Sequence, residues 1–580
     1  MKNRLRSMFI AAVLVGTVVA GSFTAPFSVQ AAKKDTTSFE DLNQSQIVEA
    51  MGPGWNLGNQ LESVTDNVPE ETNWGNPVIT EKLIQSVKAA GFKSIRIPVS
   101  YFAKIDDDKD YTIDSKWLDR VQEVVDYCIK NDLYAVINIH GDGYNTIDGS
   151  WLLCNGKNQT EIKKKYKKVW KQIAERFKNY DEHLLFESMN EEFDGSYSEP
   201  NKEYDQNIND YNQIFVDTVR KTGDNNTKRW LIIPGWNTNI DYTAGDYGFK
   251  LPTDQYRDKS IDKEEQRIMI SVHYYSPWDF CGGENGVITQ WGNEADDPSK
   301  TSTTCDETYM KNQLNLMKTT FADKGYPVFI GEYGSIGKTS YDSENEYYRA
   351  YFARKLCQLS RKNGCIPMYW DNGYNGVHGF GLFDRTTCEV TQPVIIDAIM
   401  EGFGQKASQN STLMSVRLYV SDSKYWTTIQ SDNTARITKK GGTYTLKLKG
   451  DKDMLLNITT IALKDCDVEL GNQTKSDFTN AQIVIDKVLF NGTDYTVKEN
   501  KNDEVFSEKG SLQMDLINQW SEAEPMIEGL QKKESFSFQD ADYKDENVLG
   551  PRRIECKRPK QHRLPIHRLP ALLDFSYLSE

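Results

Sequence analysis

The sequence predicts an α/β fold: a (β/α)8 TIM barrel followed by a second, smaller all-β sandwich domain. Three observations predict it. Eight near-continuous apolar runs recur between about residue 52 and residue 400, as expected for strands buried on both faces of a parallel sheet. Helix-sized segments with a 3.6-residue apolar period separate them. Past residue 411 the pattern changes to strand-sized runs broken by polar turns. A doubly wound open sheet is the structural rival, but no GxGxxG follows the first strand.

Taken in order, residues 1–31 read as a secretory signal peptide. Lys2, Arg4 and Arg6 give a basic start, Met8 to Gly21 a short apolar run, and Val29-Gln30-Ala31 a cleavage-like ending. The barrel is assigned to residues 40–402. Its strands are GWNLGN at 54, SIRIPV at 94, YAVINIH at 134, HLLFESMN at 183, WLIIPG at 230, IMISVHYY at 268, YPVFIGE at 326 and CIPMYW at 365. Trp117, Leu118, Val121, Val124, Val125 and Cys128 form one helical stripe. Ile162, Tyr166, Val169, Trp170, Ile173 and Phe177 form another. A barrel takes about 250 residues, so the loops here carry insertions. Residues 403–411 read as a linker and 412–530 as a β-sandwich, a candidate carbohydrate-binding module. There Tyr419, Tyr425, Trp426 and Tyr444 suit a sugar-stacking platform and sandwich core equally well. Residues 531–580 read as a disordered polar and basic tail, native or not, in which HRLP occurs twice.

Composition removes several function classes. The net charge is -15 and no basic stretch lies in the body of the chain, so phosphate contacts to nucleic acid are not expected. Nine cysteines without a CxxC pair or a Cys/His cluster argue against structural zinc, and the odd count leaves at least one thiol unpaired. Most read as small buried hydrophobes. No cofactor or metal is expected. Beyond the signal no apolar run is long enough to span a membrane.

In a (β/α)8 barrel the chemistry sits at the C-terminal strand ends. Here the second strand carries Arg96. The third ends in Asn138 and His140, and the fourth in Asn190-Glu191. The sixth carries His273 and Tyr275, the seventh ends in Glu332, and the eighth ends in Trp370-Asp371-Asn372. Carboxylates on strands four and seven can face each other across one mouth, which suits glycoside hydrolysis. One carboxyl must stay protonated to donate to the leaving oxygen, and the other must be ionised to attack the sugar. Arg96 can hold Glu332 ionised, Asn190 can bind the sugar 2-hydroxyl, and Trp370 can floor the cleaved sugar. Each residue alone has a plainer reading: solvated glutamate, structural arginine, core tryptophan. Six polar strand ends on one rim carry the argument together. His183 reads as a turn residue and His378 as a candidate cleft wall.

The stretches GWNLGN (54–59), WGNP (74–77), GFKSIRIPVS (91–100), VINIH (136–140), LLFESMNE (184–191), HYYSPWDF (273–280), PVFIGEYGS (327–335) and MYWDNG (368–373) run in order through most of residues 45–400. Together they resemble glycoside hydrolase family 5, in the branch of bacterial endoglucanases that includes xyloglucanases. The resemblance implies Glu191 as acid/base and Glu332 as nucleophile, supported by Arg96, His140, Asn190, His273 and Tyr275. It also implies a retaining mechanism with carboxyl groups ~5 Å apart, and a cleft lined by Trp55, Trp74, Trp278 and Trp370 with Asn56 and Asp371 at the substrate. Three positions depart from the pattern. Glu192 replaces a common proline after the acid/base; its carboxylate either raises Glu191 or points to solvent. Gly141 replaces a common histidine and is expected to open the cleft. GEYG replaces GEFG.

The expected protein is a secreted, extracellular bacterial endo-β-1,4-glucanase, monomeric and acting on a polysaccharide, with no nucleic acid or membrane partner after signal cleavage. Xyloglucan, xylan, lichenan and mannan are alternative substrates for the same catalytic set. A non-catalytic carbohydrate-binding surface protein is the rival from another class; an inactive barrel should have lost Glu191 or Glu332, and both are present.

Overall fold

A computed structural model of the chain describes residues 39–409, apart from 263, 264 and 296, and a set of strands beyond them. The signal segment, Tyr425, Trp426, Tyr444 and most of the 531–580 tail lie outside the described residues.

Eight parallel strands close into a barrel in chain order. They are β1 (Gly54–Leu57), β2 (Ser94–Ile97), β3 (Tyr134–Ile137), β4 (Leu184–Glu187), β5 (Leu231–Pro234), β6 (Ile268–Tyr274), β7 (Val328–Tyr333) and β8 (Cys365–Asp371). β1 pairs with both β2 and β8, which leaves no open edge. The strands are continuously apolar because both faces are covered: alternate residues meet either the helices or the barrel interior. Ile95, Ile97, Ala135, Ile137, Leu184 and Phe186 pack outward. Val136, Leu185, Ile232, Met269, Phe329, Ile366 and Met368 fill the interior.

The helices are α1 (Gln44–Met51), α2 (Glu81–Ala89), α3 (Ser115–Lys130), α4 (Gln159–Phe177), α5 (Lys202–Lys221), α6 (Ile240–Ala244), α7 (Trp278–Cys281), α8 (Glu307–Thr320), α9 (Asn345–Lys362) and α10 (Pro393–Gly402). The α3 stripe and, except for partly buried Ile162, the α4 stripe are buried as expected. α1 is an addition to the sequence reading. Its eight residues are too few for a periodic signal, but an Asn43–Gln46 capping box starts it, and Ile47, Val48 and Met51 join the interior cluster that closes the barrel base.

Among the described residues Cys128, Cys154, Cys281, Cys357, Cys365 and Cys388 are free and buried, as small hydrophobes, and Cys305 is free and half-buried. The linker reading needs a boundary change. Gln405 donates to Gly52 O at 3.0 Å, Ser408 to Ala90 O at 2.6 Å, and the Gln409 amide to Asp397 at 2.6 Å. The supposed linker is therefore tied to the barrel by hydrogen bonds as far as Gln409.

Beyond it, Thr412–Asp422 pairs antiparallel with Thr428–Gln430, Ala435–Thr438 and Ile458–Asp465, and the last of these pairs with Gln513–Asn518. Gln482–Phe490 pairs antiparallel with Thr493–Tyr495 and Leu549–Lys557. Leu549–Lys557 falls inside the segment read as an unstructured tail. Its ladder partner lies about sixty to seventy-five residues away, and composition cannot reveal such a partner.

Candidate active site

Near the base the barrel interior is apolar; toward the C-terminal strand ends it turns polar. Asn56, Arg96, Asn138, Glu187 and Ser271 are each fully buried there. Strand parity explains this. Glu187 shares a face with Leu185, and Ser271 with Met269, so a charge placed two residues beyond an interior apolar residue points inward.

Arg96 connects these groups. Its Nε donates to Glu187 Oε2 at 2.7 Å and its Nη2 to Asn190 Oδ1 at 2.7 Å. Its Nη1 donates to Glu332 Oε1 at 2.8 Å and to Asn56 Oδ1 at 3.1 Å. Burial works against the guanidinium charge, but Glu187 and Glu332 outweigh it and hold Arg96 protonated. Glu187 also accepts from Ser271 Oγ at 2.8 Å and from Asn138 Nδ2 at 3.0 Å.

Glu332 reaches this interior through a backbone irregularity. The β6–β7 register runs Val272 to Ile330 and then His273 to Glu332, so Gly331 is the extra residue of a bulge. Plain alternation from Phe329 would turn Glu332 outward. The bulge turns it in and sends Tyr333 into the helix-facing core. A Cβ on Gly331 would lie 3.0 Å from His273 Nε2 and 3.1 Å from Ser271 Oγ, so the bulge also needs a small residue.

His273 joins the two carboxylates. Its Nδ1 is 2.6 Å from Glu191 Oε1 and 3.6 Å from Glu332 Oε2. One atom from each of Glu191, His273 and Glu332 lies within 4.8 Å of the others. Tyr275 OH donates to Glu332 Oε2 at 3.1 Å, and Tyr144 OH donates to Glu191 Oε2 at 3.2 Å. Asn190 Nδ2 donates to Tyr144 OH at 2.6 Å. His140 stacks parallel to Trp370, with centroids 6.0 Å apart, and accepts from Asn138 Nδ2 at its Nδ1. Burial, with Arg96 and His273 nearby, holds His140 well below the usual histidine range and therefore neutral.

Protonation in the free site differs from the expectation. Burial opposes charge on His273, yet Glu332 and Glu191 raise it above the usual histidine value. Burial pushes Glu191 up, but the His273 charge and hydrogen bond outweigh that and draw it down. Burial pushes Glu332 up, and the Glu191 charge adds to it; His273 and Arg96 only partly offset the rise. In the free site burial and charge thus favour the protonated forms of His273 and Glu332 and the carboxylate form of Glu191.

The structure brings Arg96, His140, Asn190, Glu191, His273, Tyr275, Glu332 and Trp370 together as the strand ends suggested. It moves others away. Trp55 is fully buried among the helix-facing residues, donating from Nε1 to Asp371 Oδ2 at 3.0 Å. Asp371 is also fully buried and pairs with Arg385 at 3.1 Å. Both lie on the outward parity of their strands, so neither lines a cleft. Asn56 faces inward but is fully buried, spending its amide on Gly331 O and Met368 O at 2.9 and 3.2 Å. It acts as a strut beneath the site. Trp74 is 45% exposed on a rim loop and Trp278 62% exposed at the start of α7, where it packs edge-on to Tyr275.

Gly141 does not open the cleft. It is buried, and a Cβ there would lie 2.8 Å from Ser100 Oγ. Glu192 is buried too, so it does not point to solvent. His183 stacks on Tyr134 near the strand-four base and contacts Asp181, and His378 stacks on Tyr341. Glu187 and Tyr144 escaped the sequence reading. Glu187 had a usable signal, a lone carboxylate inside the apolar run LLFES, whereas loop residue Tyr144 had none. A cavity of about 670 Å³ lined by Asn43, Val48, Glu265 and Arg361 lies at α1, away from these groups.

Fold and site together define a barrel glycoside hydrolase, and comparison with known proteins agrees. Residues 59–376 match the family described as cellulase (glycosyl hydrolase family 5). Endoglucanase A of Paenibacillus barcinonensis is 54% identical over 389 residues, 67% of this chain and 97% of that protein. Endoglucanase B of Clostridium cellulovorans is 33% identical, covering 70% of this chain and 84% of that protein. Among solved structures, a family 5 xyloglucanase from Paenibacillus pabuli is 60% identical with a TM-score of 0.61, covering 62% of this chain and all of that one. A broad-specificity endoglucanase from Bacteroides salanitronis is 36% identical with a TM-score of 0.59, covering 65% and 99%. The chain belongs to glycosyl hydrolase family 5. It is a glycoside hydrolase of the endoglucanase class, and its substrate is a polysaccharide.

Proposed function

We propose that the enzyme cleaves internal β-1,4-glucosidic bonds of a glucan by retaining double displacement, with Glu332 as nucleophile and Glu191 as acid/base. The observation that carries this reading is the 2.6 Å contact between His273 Nδ1 and Glu191 Oε1, with Glu332 3.6 Å from the same nitrogen. A proton moving from His273 to Glu191 across that contact makes Glu191 the acid. It removes a cation as well as an anion from beside Glu332, whose charge is then held by its donors Arg96 and Tyr275.

Glu332 attacks the anomeric carbon while Glu191 gives its proton to the leaving oxygen; the glycosidic bond breaks and a glycosyl ester forms. Glu191, now a carboxylate, takes a proton from water as the water oxygen attacks the same carbon and frees Glu332. Asn190 spends one amide hydrogen on Tyr144 and has a second for the sugar 2-hydroxyl. Trp370, set by its stack on His140, offers a flat apolar face to the sugar.

The test is reducing-sugar release from carboxymethylcellulose, xyloglucan, xylan, lichenan and mannan. Glucan cleavage is expected, falling roughly 10⁴-fold or more in Glu332→Gln, the scale of removing a nucleophile. A Glu332→Gln enzyme with wild-type turnover ends the assignment. A second reading, xyloglucan as the preferred glucan, is supported by the name of the 60%-identical relative, and dominant activity on xyloglucan in the same panel would favour it.

The basic and apolar start of the chain supports export. Among the described residues no helix is long and apolar enough to cross a membrane. We further propose that the enzyme acts as a monomer and that residues 412–530 form an appended β-sandwich module.

A further inference from the structure

We propose that Glu192 is a positioning residue of the hydrolytic reaction: a buried carboxyl packed against the Gly143 backbone, it holds the segment that carries Glu191. The inference rests on Glu191 being the acid/base.

Glu192 is 1% exposed, and its Oε2 has no hydrogen-bond partner. It forms no ion pair among the described residues. The titratable groups around it are Asp142 and Cys154 from the segment between β3 and α4, Tyr166 from α4, Tyr211 from α5, and Glu191 on its own segment. None supplies a positive charge. The nearby hydroxyls are committed elsewhere: Tyr166 OH donates to Ser188 O at 2.8 Å and Tyr211 OH to Gln159 Oε1 at 2.7 Å. Asp142 is occupied by the Tyr101 and Phe102 amides and Trp151 Nε1. An ionised Glu192 would thus be a buried anion between two other carboxyl groups with no donor. Burial, then Asp142 and Glu191, push its carboxyl well above the usual range.

The contact with Gly143 gives this acid a mechanical role. A Cβ on Gly143 would fall 1.9 Å from Glu192 Oε1 and 2.0 Å from Oε2, so the turn that follows His140 and the Glu192 carboxyl fill one space between them. On the other side the Asn237 amide donates to Glu192 O at 2.9 Å. Glu192 is thus held from the loops after β3 and β5, and Glu191 is its immediate neighbour in the chain. Its backbone carbonyl is fixed by a hydrogen bond and its side chain by close packing, and both bear on the position of Glu191.

Four variants test this: Glu192→Ala, Glu192→Gln, Gly143→Ala and the Ala/Ala double, read by kinetics on two substrates well below the unfolding temperature. Glu192→Ala is expected to lower kcat/KM on the polysaccharide about tenfold or more, the scale of a misaligned acid. On a dinitrophenyl cellobioside, whose leaving group needs no proton, it should change less than about twofold. Glu192→Gln, isosteric with the uncharged acid, should recover most of the loss. Gly143→Ala should reproduce the defect, and the double variant should be better than the sum of the singles. An equal loss on both substrates, or additive singles, overturns the positioning role, because a merely structural residue would give either result. Glu191→Gln separates the two readings. If it keeps wild-type turnover on the polysaccharide, the acid/base assignment fails; if it is inactive there while Glu192→Ala is unimpaired, only the positioning role fails.

Discussion

Arg96 faces two carboxylates inside a closed barrel, so its substitution is a test at the scale of single charges. Arg96→Leu leaves Glu187 and Glu332 buried without their cation. That should cost about 3–5 kcal/mol of stability at neutral pH, the scale of breaking a buried pair. The deficit, measured by urea unfolding, should shrink as pH falls and the Glu332 carboxyl, which burial already raises, takes up a proton. Glu62 gives a second test. Burial raises its carboxyl to about 7 despite hydrogen bonds from the Asn59 and Gln60 amides. A carboxyl whose folded value is raised is fully favourable below its unfolded value and loses that contribution as pH climbs through about 7. Compared with Glu62→Gln, the wild type should therefore lose roughly 3 kcal/mol of relative stability between about pH 4 and pH 8. A flat difference across that range would show that Glu62 is not the group responsible.

At the scale of one element, the β7 bulge decides where the seventh-strand glutamate points. Gly331→Ala would press a methyl group against His273 Nε2 and Ser271 Oγ. The expected result is a loss of about 10- to 100-fold in kcat with a small change in KM, the scale of displacing a catalytic group by a fraction of an ångström to an ångström. An unchanged kcat would mean the bulge tolerates a side chain and has no steric role. α1 makes a separate prediction, about stability alone. Asn43 accepts the Gln46 amide at 3.1 Å, so Asn43→Ala should cost ~1 kcal/mol in thermal unfolding. Turnover should not follow, because α1 plugs the end of the barrel opposite the mouth.

For the whole molecule, the question is how much of the chain hydrolysis needs. Matching 389 residues accounts for 97% of the Paenibacillus barcinonensis relative, and the barrel with its tied-down Gln405–Gln409 segment spans a similar length. A protein ending after Gln409 should keep polysaccharide cleavage within about threefold of the full chain and unfold in one transition, as a domain with its own core does. One ending after Phe403 loses the contacts to Gly52, Ala90 and Asp397 and should melt several degrees lower, since each hydrogen bond contributes about 1 kcal/mol. If the Gln409 truncation were inactive, the strands beyond it would belong to the working enzyme.

Local sequence was enough to determine the barrel, because a strand covered on both faces must be apolar throughout and a covering helix must carry a 3.6-residue stripe. It was also enough to put Arg96, His140, Glu191, His273 and Glu332 on one rim, since strand ends in this topology converge. Local pattern could not say which way a residue near a strand end faces. Trp55 and Asp371 lie on the outward parity and are core. Glu332 has the wrong parity and is rescued only by a bulge whose register depends on the neighbouring strand. Tyr144, the partners of Glu187 and the Glu192–Gly143 contact were decided by the tertiary structure alone. Each depends on a partner far along the chain, and a buried charge or a missing Cβ gains its meaning only from what fills the space beside it.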